Sequence, residues 1–342
     1  MINRNLFSKD IEINENEESI HTNLIKGSVL EDIKYTILIP VYRCNETFSH
    51  TLQSALKQDF NEFQIVVIED GPDPNGSFCE KYINEINDSR VVFYRSEKNL
   101  GMAGNWNRGV ELCKSDYIIL LCQDDLLSPR YLSIIDSLIK RNKDVGCISA
   151  LSTGFDGDGD YLFTDNKKKK LNYKHITLKD LYFGIYGCVT GMTFSKKIFN
   201  EIGRFKSSLL CLDTIFMANM ALYSKYYVIF EELIAYRRFE NTSMKLSTQY
   251  AMIDEMFTLR NQIAEKYFFF KNANRSSNKI LTIGLIKGIN ANWNAELSLD
   301  EMINRCGYKD SNITLHNKIQ YRFIWFITLL SRKIRNISNK II

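Results

Sequence analysis

The sequence predicts an α/β protein with a mostly parallel, Rossmann-like sheet flanked by helices, followed by a helical C-terminal extension. Short apolar runs, rich in β-branched and aromatic residues, alternate with helical patterns at the spacing of βαβ units. One of these runs, Tyr117–Leu121, is apolar throughout, which is typical of a strand buried on both faces. Beyond Met244 the pattern becomes mostly helical.

The predicted elements begin at residue 35. Predicted strands are Tyr35–Pro40, Phe63–Ile68, Arg90–Tyr94, Tyr117–Leu121, Val145–Ser149 and Tyr226–Phe230. Predicted helices follow Asn45-Glu46 and Pro129, and cover Gly76–Ile86, Asn105–Cys113, Leu178–Ile185, Ser195–Ile202 and Asp213–Tyr223. Asn and Asp are favoured helix caps, and Pro is tolerated in a first turn, so these residues mark helix starts.

Polarity divides the chain into three parts. Residues 1–34 are polar, Asn/Glu-rich and without a clear period, so we expect a flexible or loosely docked N-terminal extension. Residues 35–243 carry the strand–helix alternation and form the predicted α/β domain. Residues 244–342 form the predicted helical C-terminal region, which ends in a basic tail.

Composition bounds the class of protein. A hydrophobic content of 45% and a charged content of 25% are ordinary for a soluble globular protein. The eight cysteines include no C-x-x-C pair, so neither a zinc site nor a redox motif is predicted. Residues 1–33 have no signal-peptide pattern, and no apolar run approaches the ~18 residues needed to span a bilayer. We therefore expect a cytoplasmic protein.

The charge is unevenly distributed. The net charge is +4, but no acid follows Asp310, and six bases occur in the last 32 residues. An amphipathic helical stripe accompanies these bases: Ile319, Phe323, Phe326, Leu330, Ile334, Ile337 and Ile341. With Tyr321 and Trp325 as interfacial anchors, residues 317–342 predict peripheral attachment to the inner face of an anionic membrane. The alternative is that the stripe docks on the protein core or on a partner chain; binding of nucleic acid by the tail is not expected.

Polar motifs occur where the predicted strands end. They are Pro40-Val41-Tyr42, Glu69-Asp70-Gly71, Asn99–Gly101 with Asn107-Arg108-Gly109, and Gln123-Asp124-Asp125. Open α/β sheets bind ligands at the carboxyl ends of their strands, so these motifs predict a ligand site. Simpler roles remain open for several of them: helix capping for Asp124, turn formation for Asp70, a sheet-edge ring for Tyr42 and a solvated helix position for Arg108.

Together the motifs resemble the family-2 glycosyltransferases of the GT-A fold. The matching text is ILIPVYR, then QSALKQDFNEFQIVVIEDG, then EKNLGMAGNWNRGVELCKSDYIILLCQDDLLSP. The resemblance covers residues 35–139 closely and 191–243 more weakly. It implies a nucleotide-binding half (35–144), an acceptor half (145–243), and transfer of a sugar from a nucleotide-sugar donor to a hydroxyl of a glycan or lipid-linked acceptor, with inversion. A sugar-nucleotide-forming nucleotidyltransferase would need a Gly-rich, Arg-containing loop after the first strand, where this chain has none.

The resemblance also implies roles for residues. The implied donor-binding residues are Pro40, Val41, Tyr42, Glu69, Asp70, Gly101, Arg108, Gln123, Asp124, Asp125 and Arg237. Asp124 with Asp125 would hold Mn²⁺ or Mg²⁺, hard cations that prefer oxygen ligands. Cys122 stands where the family's D-x-D motif has its first acid.

The implied general base is Asp213, which follows a Gly203-Arg204-Phe205 segment and also suits a helix N-cap. Leu212 replaces the family's usual Glu before it, and Phe239 replaces a usual His, which Arg237 or Arg238 would substitute as a cation. Because Cys122, Leu212 and Phe239 depart from the family pattern, the alternative is a catalytically impaired GT-A subunit that binds or scaffolds within a glycan-assembly complex.

Overall fold

A computed structural model of the chain describes residue 6 and residues 19–163, 171–184, 187–238, 245–267, 271–293, 295–324 and 326. The chain forms two compact units. The first contains residues 1–177, 186–208 and 212–239, and the second contains residues 178–185, 209–211 and 240–342.

The elements of the described residues are as follows. The strands are β1 (Thr22–Lys26), β2 (Tyr35–Val41), β3 (Phe63–Glu69), β4 (Val91–Ser96), β5 (Tyr117–Leu120), β6 (Leu126–Leu127), β7 (Val145–Phe155), β8 (Tyr173–Ile176), β9 (Met192–Ser195) and β10 (Lys225–Arg237). The helices are α1 (Thr47–Leu56), α2 (Phe78–Glu85), α3 (Gly101–Leu112), α4 (Tyr131–Arg141), α5 (Leu178–Phe183), α6 (Lys196–Ile202), α7 (Leu212–Tyr223), α8 (Leu246–Tyr267), α9 (Lys271–Trp293) and α10 (Leu299–Arg305).

The strands form one mixed sheet in the order β1-β4-β3-β2-β5-β9-β7-β10-β6, with β8 paired to β10. The pairs β4–β3, β3–β2 and β2–β5 are parallel, as predicted from the strand–helix alternation. Strand β9, which the sequence did not predict, is antiparallel to both β5 and β7 and joins the two halves of the sheet. From β2 the chain proceeds to β3 on one side and later to β5 on the other, so the topological switch point lies at β2.

The centre of the sheet is apolar because its strands are covered on both faces. Every residue of β2 and of β3 is buried, which agrees with the mostly apolar sequences of these strands. Helix α3 packs closely on these strands at Gly109, where a Cβ atom would lie 2.6 Å from Leu38 Cδ1 and 3.2 Å from Ile68 Cγ2. The predicted strands are confirmed. Strands β7 and β10 are longer than predicted and extend to Phe155 and Arg237, because they pair with each other over that length, with irregularities in the register.

The polar N-terminal segment contributes an edge strand that its composition did not predict. Strand β1 pairs antiparallel with β4. Leu6 is also buried, and the Asn219 side-chain amide of α7 both accepts from its N–H (2.7 Å) and donates to its carbonyl (3.3 Å). These contacts tie parts of residues 1–34 to the first unit.

The second unit is helical, as predicted for the residues beyond Met244. Its apolar core contains Tyr250 and Ile253 of α8, Ile286 of α9, and Met302 of α10. Residues 315–324 are also helical. Of the predicted amphipathic stripe, Leu330, Ile334, Ile337 and Ile341 lie outside the described residues, as do Trp325 and Phe239. Among the helices of the described residues, none combines the length and the apolar content that crossing a membrane requires.

Candidate functional site

The loops after β2 and β5 meet at the switch point of the sheet. The Tyr42 N–H donates to Gln123 Oε1 (2.7 Å), and Gln123 Nε2 donates to the Tyr42 carbonyl (3.3 Å). This pair of hydrogen bonds joins Pro40-Val41-Tyr42 to the Gln123-Asp124-Asp125 motif. The Tyr42 ring is exposed beside them, with the Arg43 guanidinium 5.1 Å from its centroid.

Asp124 is half-buried and lies in the loop between β5 and β6. Its Oδ1 accepts from the Thr47 hydroxyl at 2.9 Å, at the start of α1. Burial raises the pKa of Asp124, while the Thr47 hydrogen bond and the charge of Arg237 oppose that rise. The Asp124 carboxylate therefore accepts a hydrogen bond from a neutral hydroxyl, and a cation placed beside it would favour its ionised form.

Asp125 is fully buried and fixes the end of β10. Its Oδ1 accepts from the Arg237 backbone N–H at 2.9 Å, and its carboxylate also accepts from the Thr190 hydroxyl. Burial raises the pKa of Asp125 to about 7, and the neighbouring charge of Asp124 contributes in the same direction. Asp125 thus has a structural role whatever ligand it holds.

Asp70 lies buried at the end of β3 and joins that strand to the start of α3. Its Oδ1 accepts from the Leu100 N–H at 2.6 Å, and the carboxylate also accepts from the Gly101 N–H. Burial raises the pKa of Asp70 to about 6, because these two hydrogen bonds offset only part of the desolvation. The next residue, Gly71, has φ = +83°, and a Cβ there would lie 2.9 Å from the Asn99 nitrogen, so the turn requires glycine.

Two of the predicted donor-binding residues have clear structural partners. Glu69 is buried and its carboxylate pairs with Arg95 at 2.5 Å. The Arg108 guanidinium donates to the Ile20 carbonyl (2.7 Å) and to the Thr22 hydroxyl (2.9 Å), beside the edge strand β1. The structure thus ties Arg108 to the N-terminal segment, whereas it brings Tyr42, Gln123 and Asp124 together.

Arg237 is buried and its guanidinium is directed to backbone carbonyls. Its Nε donates to the Asp124 carbonyl and its Nη2 to the Gly159 carbonyl, both at 2.9 Å, while Nη1 donates to the Gly157 carbonyl. Its Cζ lies 4.4 Å from the centroid of the Phe155 ring. Arg237 therefore holds the loop that follows β7 against Asp124.

Asp213 lies in the first turn of α7. Burial raises the pKa of the Cys188 thiol to about 12, and the negative charges of Asp125 and Asp213 contribute in the same direction. Both carboxylates therefore lie within electrostatic range of Cys188, a half-buried residue. Asp213, the predicted base, and Asp125, one of the two predicted metal ligands, therefore both act on the same thiol.

The segment before Asp213 is anchored to α3. Asn107 Nδ2 donates to the Phe205 carbonyl and the Phe205 N–H donates to Asn107 Oδ1, each at 2.9 Å and buried. The Phe205 ring also packs edge-on against Trp106, with centroids 5.3 Å apart. This clamp fixes Gly203-Arg204-Phe205, the segment that resembles the family's G-x-F motif.

The residues at the end of β5 suit a hard divalent cation that receives further ligands from a substrate. Asp124 and Asp125 offer carboxylate oxygens. In the part of the chain that the structure describes, no cluster of three or more His, Cys, Asp or Glu side chains could hold an ion unaided. Cys122 does not add a thiolate, because burial raises the pKa of its thiol well above the ordinary value.

Three residues that position the site have no recognisable signal in the sequence. The Thr47 hydroxyl donates to Asp124, the Thr190 hydroxyl donates to Asp125, and Cys188 lies within electrostatic range of Asp125 and Asp213. Thr190 also accepts from the Cys122 N–H at 3.3 Å through its hydroxyl oxygen. Each is distant in sequence from its partner, so only the fold reveals the contact.

Similar solved structures identify the class of fold. TarS of S. aureus in complex with UDP-GlcNAc matches with a TM-score of 0.54 at 16% identity, covering 85% of this chain and 79% of that chain. The mannosyltransferase PcManGT from Pyrobaculum calidifontis, in complex with GDP-Man and Mn²⁺, matches with a TM-score of 0.51 at 10% identity, covering 95% and 93%. The fold is the GT-A fold of glycosyltransferases.

The sequence comparisons give the family. Residues 36–203 match the family described as "Glycosyl transferase family 2". A cholesterol galactosyltransferase of Borreliella burgdorferi is 22% identical over 330 residues, covering 92% of this chain and 81% of the relative. The family match and the glycosyltransferase relatives indicate a glycosyltransferase of family 2, which confirms the resemblance found in the motifs.

Proposed function

We propose that the protein transfers a sugar from a nucleoside-diphosphate donor to an acceptor hydroxyl, with inversion at the anomeric carbon. The observation that carries the proposal is that the loops after β2, β3 and β5 meet at the switch point of the sheet. The Asp70 N–H donates to the Val41 carbonyl at 2.8 Å, and Gln123, next to Asp124, bonds to the Tyr42 backbone. Ligands of open α/β sheets bind there. The nucleotide sugars bound by TarS and PcManGT, whose folds are similar, support the same class of donor.

Each side chain has a role in this proposal. The Asp70 carboxylate accepts a ring N–H of the nucleobase, and the exposed Tyr42 ring packs against the nucleoside. The Asp213 carboxylate accepts the proton of the acceptor hydroxyl as its oxygen attacks the anomeric carbon. The bond from that carbon to the diphosphate breaks in the same step, and its electron pair leaves with the diphosphate.

Asp124, with Asp125, would hold a divalent cation, Mn²⁺ or Mg²⁺. When bound, such an ion neutralises negative charge that develops on the departing diphosphate. The hard oxygen ligands and the desolvated Asp124 carboxylate support this assignment. In the proposal Arg237 holds the loop of Gly157 and Gly159 against these carboxylates, which is a positioning role.

The proposed acceptor is a glycan or a lipid-linked glycan. The name of the Borreliella burgdorferi relative, a cholesterol galactosyltransferase, supports an acceptor associated with a lipid. The identity of the sugar does not follow from the residues at the site.

The proposal is tested by donor turnover. Purified full-length protein is incubated with a panel of nucleotide sugars and Mn²⁺, and release of nucleoside diphosphate is measured. We expect metal-stimulated turnover that falls at least a hundredfold in Asp124→Asn and Asp213→Asn, because each change removes a charge used in the transition state. Asp59→Asn, at an exposed position, is the matched control and should retain wild-type turnover.

The stereochemistry has its own readout. In the proposed single displacement the product has the anomeric configuration opposite to that of the donor, which NMR of the product measures. Retention would contradict the direct-displacement role of Asp213. Absence of turnover in the wild type with every donor, together with intact nucleotide binding, would favour the binding or scaffold role.

We also propose that the C-terminal helix lies on an anionic membrane. In helical residues 315–324 and at Phe326, the apolar side chains Leu315, Ile319, Phe323 and Phe326 are between 48% and 74% exposed and recur at steps of three or four. Lys318 and Arg322 on the same segment provide positive charge.

Co-sedimentation with vesicles tests the membrane proposal. Binding to phosphatidylglycerol vesicles should exceed binding to phosphatidylcholine vesicles and should fall at least tenfold in Phe323→Asp. Leu24→Asp replaces an exposed apolar residue of β1 and should leave vesicle binding unchanged. Equal vesicle binding by wild type and Phe323→Asp would refute the proposal.

A further inference from the structure

A buried arginine in the second unit has donors that none of the described residues accepts from. Arg260, on α8, is only 4% exposed. Its Nε and Nη1 atoms are inaccessible to solvent and have no hydrogen-bond acceptor in the part of the chain that the structure describes. Nε carries one N–H and Nη1 carries two, so three N–H donors are unused. Buried donors of a charged group are costly to leave unsatisfied, which makes this position unusual.

No carboxylate balances the charge of this guanidinium among the described residues. The ionisable groups that act on Arg260 are the phenols of Tyr182 and Tyr308 and the thiol of Cys306, all neutral at pH 7. Burial lowers the pKa of Arg260 to about 10, which still leaves it charged at neutral pH. Charged residues are rarely fully buried without a partner of opposite charge.

Two further positive charges lie near Tyr308, one of the two tyrosines that act on Arg260. The Arg275 guanidinium lies 5.6 Å and the Lys279 ammonium 5.7 Å from the centroid of the Tyr308 ring. Lys279 contacts Asp310 at 3.2 Å, whereas Arg275 donates to the Gly307 carbonyl, a neutral group. The positive charges around Tyr308 thus exceed the negative charge that Asp310 supplies.

We propose that Arg260, with Arg275 and Lys279, forms a binding site for a phosphoryl group in the helical unit. A phosphoryl group is tetrahedral, carries up to two negative charges and offers three strong acceptor oxygens. Guanidinium groups bind phosphate through several charge-assisted hydrogen bonds, so the three unused N–H donors of Arg260 suit it. The ligand is either inorganic phosphate or the phosphoryl group of a larger phosphomonoester, and the site is independent of the proposed transfer reaction.

The test measures thermal unfolding of the full chain in increasing phosphate at constant ionic strength, with chloride as the reference. A ligand that binds the folded state raises the unfolding temperature. We expect a saturable rise with phosphate in wild type and its loss in Arg260→Met. Arg305→Met removes a half-exposed arginine of the same unit, paired with Glu301, and should keep the wild-type response.

Two further measurements keep the proposal falsifiable if Arg260→Met fails to fold. Arg275→Gln changes an exposed side chain and should weaken phosphate binding several-fold while leaving the fold intact. Phosphorus NMR of phosphate added to the wild type should show line broadening that Arg275→Gln reduces. A wild type that responds equally to phosphate and chloride would overturn the proposal, as would a phosphate response that persists unchanged in a folded Arg260→Met.

The same titration with glycerol 3-phosphate distinguishes the sources of the phosphoryl group. Binding at least tenfold tighter than that of inorganic phosphate, and lost in Arg260→Met, assigns the site to a phosphomonoester. Equal or weaker binding assigns it to free phosphate. Both results uphold a phosphoryl site, and both differ from the donor-turnover readout of the transfer reaction.

Discussion

We expect nucleotide binding to depend on the protonation state of Asp70. This carboxylate is buried at the end of β3, and desolvation raises its pKa to about 6 although two backbone N–H groups donate to it. In the ionised carboxylate both oxygens act only as acceptors, whereas the protonated form carries a hydrogen on one of them, so a nucleobase N–H binds the ionised form more strongly. With a pKa near 6, roughly a tenth of the groups are ionised at pH 5 and roughly nine-tenths at pH 7.

Because the ionised fraction of Asp70 rises with pH, the affinity for nucleoside diphosphate should rise with pH as well. Nucleoside-diphosphate affinity should rise about tenfold from pH 5 to pH 7 through Asp70 alone. The stability of the ligand-free protein should change in the opposite sense. Because the folded-state pKa of Asp70 lies above the unfolded value of 3.8, the folded state binds more protons between pH 4 and pH 6. The contribution of Asp70 to stability therefore falls as pH rises through that window.

Isothermal titration calorimetry with UDP and with GDP at pH 5, 6, 7 and 8 measures the affinity. The quantity to compare is the ratio of dissociation constants between wild type and Asp70→Asn at each pH. Titration of the ligand phosphates and of Asp125 occurs in both proteins and largely cancels in this ratio. We expect the advantage of the wild type to grow about tenfold between pH 5 and pH 7. A ratio that stays constant across the series would refute the role given to the Asp70 carboxylate.

The other predictions concern stability and are measured by urea unfolding. Gly109→Ala should lower the free energy of unfolding by about 1–3 kcal/mol, because its Cβ would overlap the packed core. Gly288→Ala, in α9 with open space around it, should raise that free energy by about 0.5–1 kcal/mol. Asn107→Ala should lower it by about 2–4 kcal/mol, since both polar groups of Phe205 lose their partner. Arg237→Gln should lower it by a similar ~2–4 kcal/mol, because three backbone carbonyls lose their donor.

These four variants also test one another. A Gly109→Ala protein as stable as Gly288→Ala would contradict the close packing of α3 on the sheet. An Asn107→Ala protein with wild-type stability would show that water replaces the two hydrogen bonds of Asn107 to the Phe205 backbone. For Arg237→Gln, wild-type stability would mean that the guanidinium is available to a ligand, which would favour a direct contact with the donor diphosphate.

The parallel half of the sheet was predictable because its signals are local. The strands from β2 to β5 are mostly apolar, as is typical of strands that are buried on both faces. The site there was predictable for a related reason: carboxyl ends of parallel strands meet at one edge, so polar residues that follow the strands converge. Asp70 and Asp124 could be selected on that ground before any contact was known.

The rest of the site depends on contacts between distant parts of the chain. Asp125 binds the backbone of Arg237, 112 residues later, and no local pattern records this pairing. Strand β9 has four residues and enters the sheet antiparallel between β5 and β7, so its signal is short and its direction is set by tertiary pairing. From the sequence, Arg237 was predicted to contact the nucleotide-sugar donor, because a cation suits a diphosphate. In the structure its guanidinium donates to three backbone carbonyls in loops, and only the fold defines the positions of those loops.

The substitution of Cys122 for an acid changes the charge of the site. An aspartate at that position would add a third carboxylate beside Asp124 and Asp125, whereas the Cys122 thiol is neutral because desolvation raises its pKa. Asp125 has a pKa of about 7 and the positive charge of Arg237 lies next to both acids, so the cluster carries little net negative charge at neutral pH. Such a cluster repels a donor diphosphate less than three ionised acids would, and it also attracts a free cation less strongly. If Asp124 and Asp125 hold a cation as proposed, its binding should therefore depend on the phosphate oxygens of the donor, and we expect the affinities for cation and donor to depend on each other.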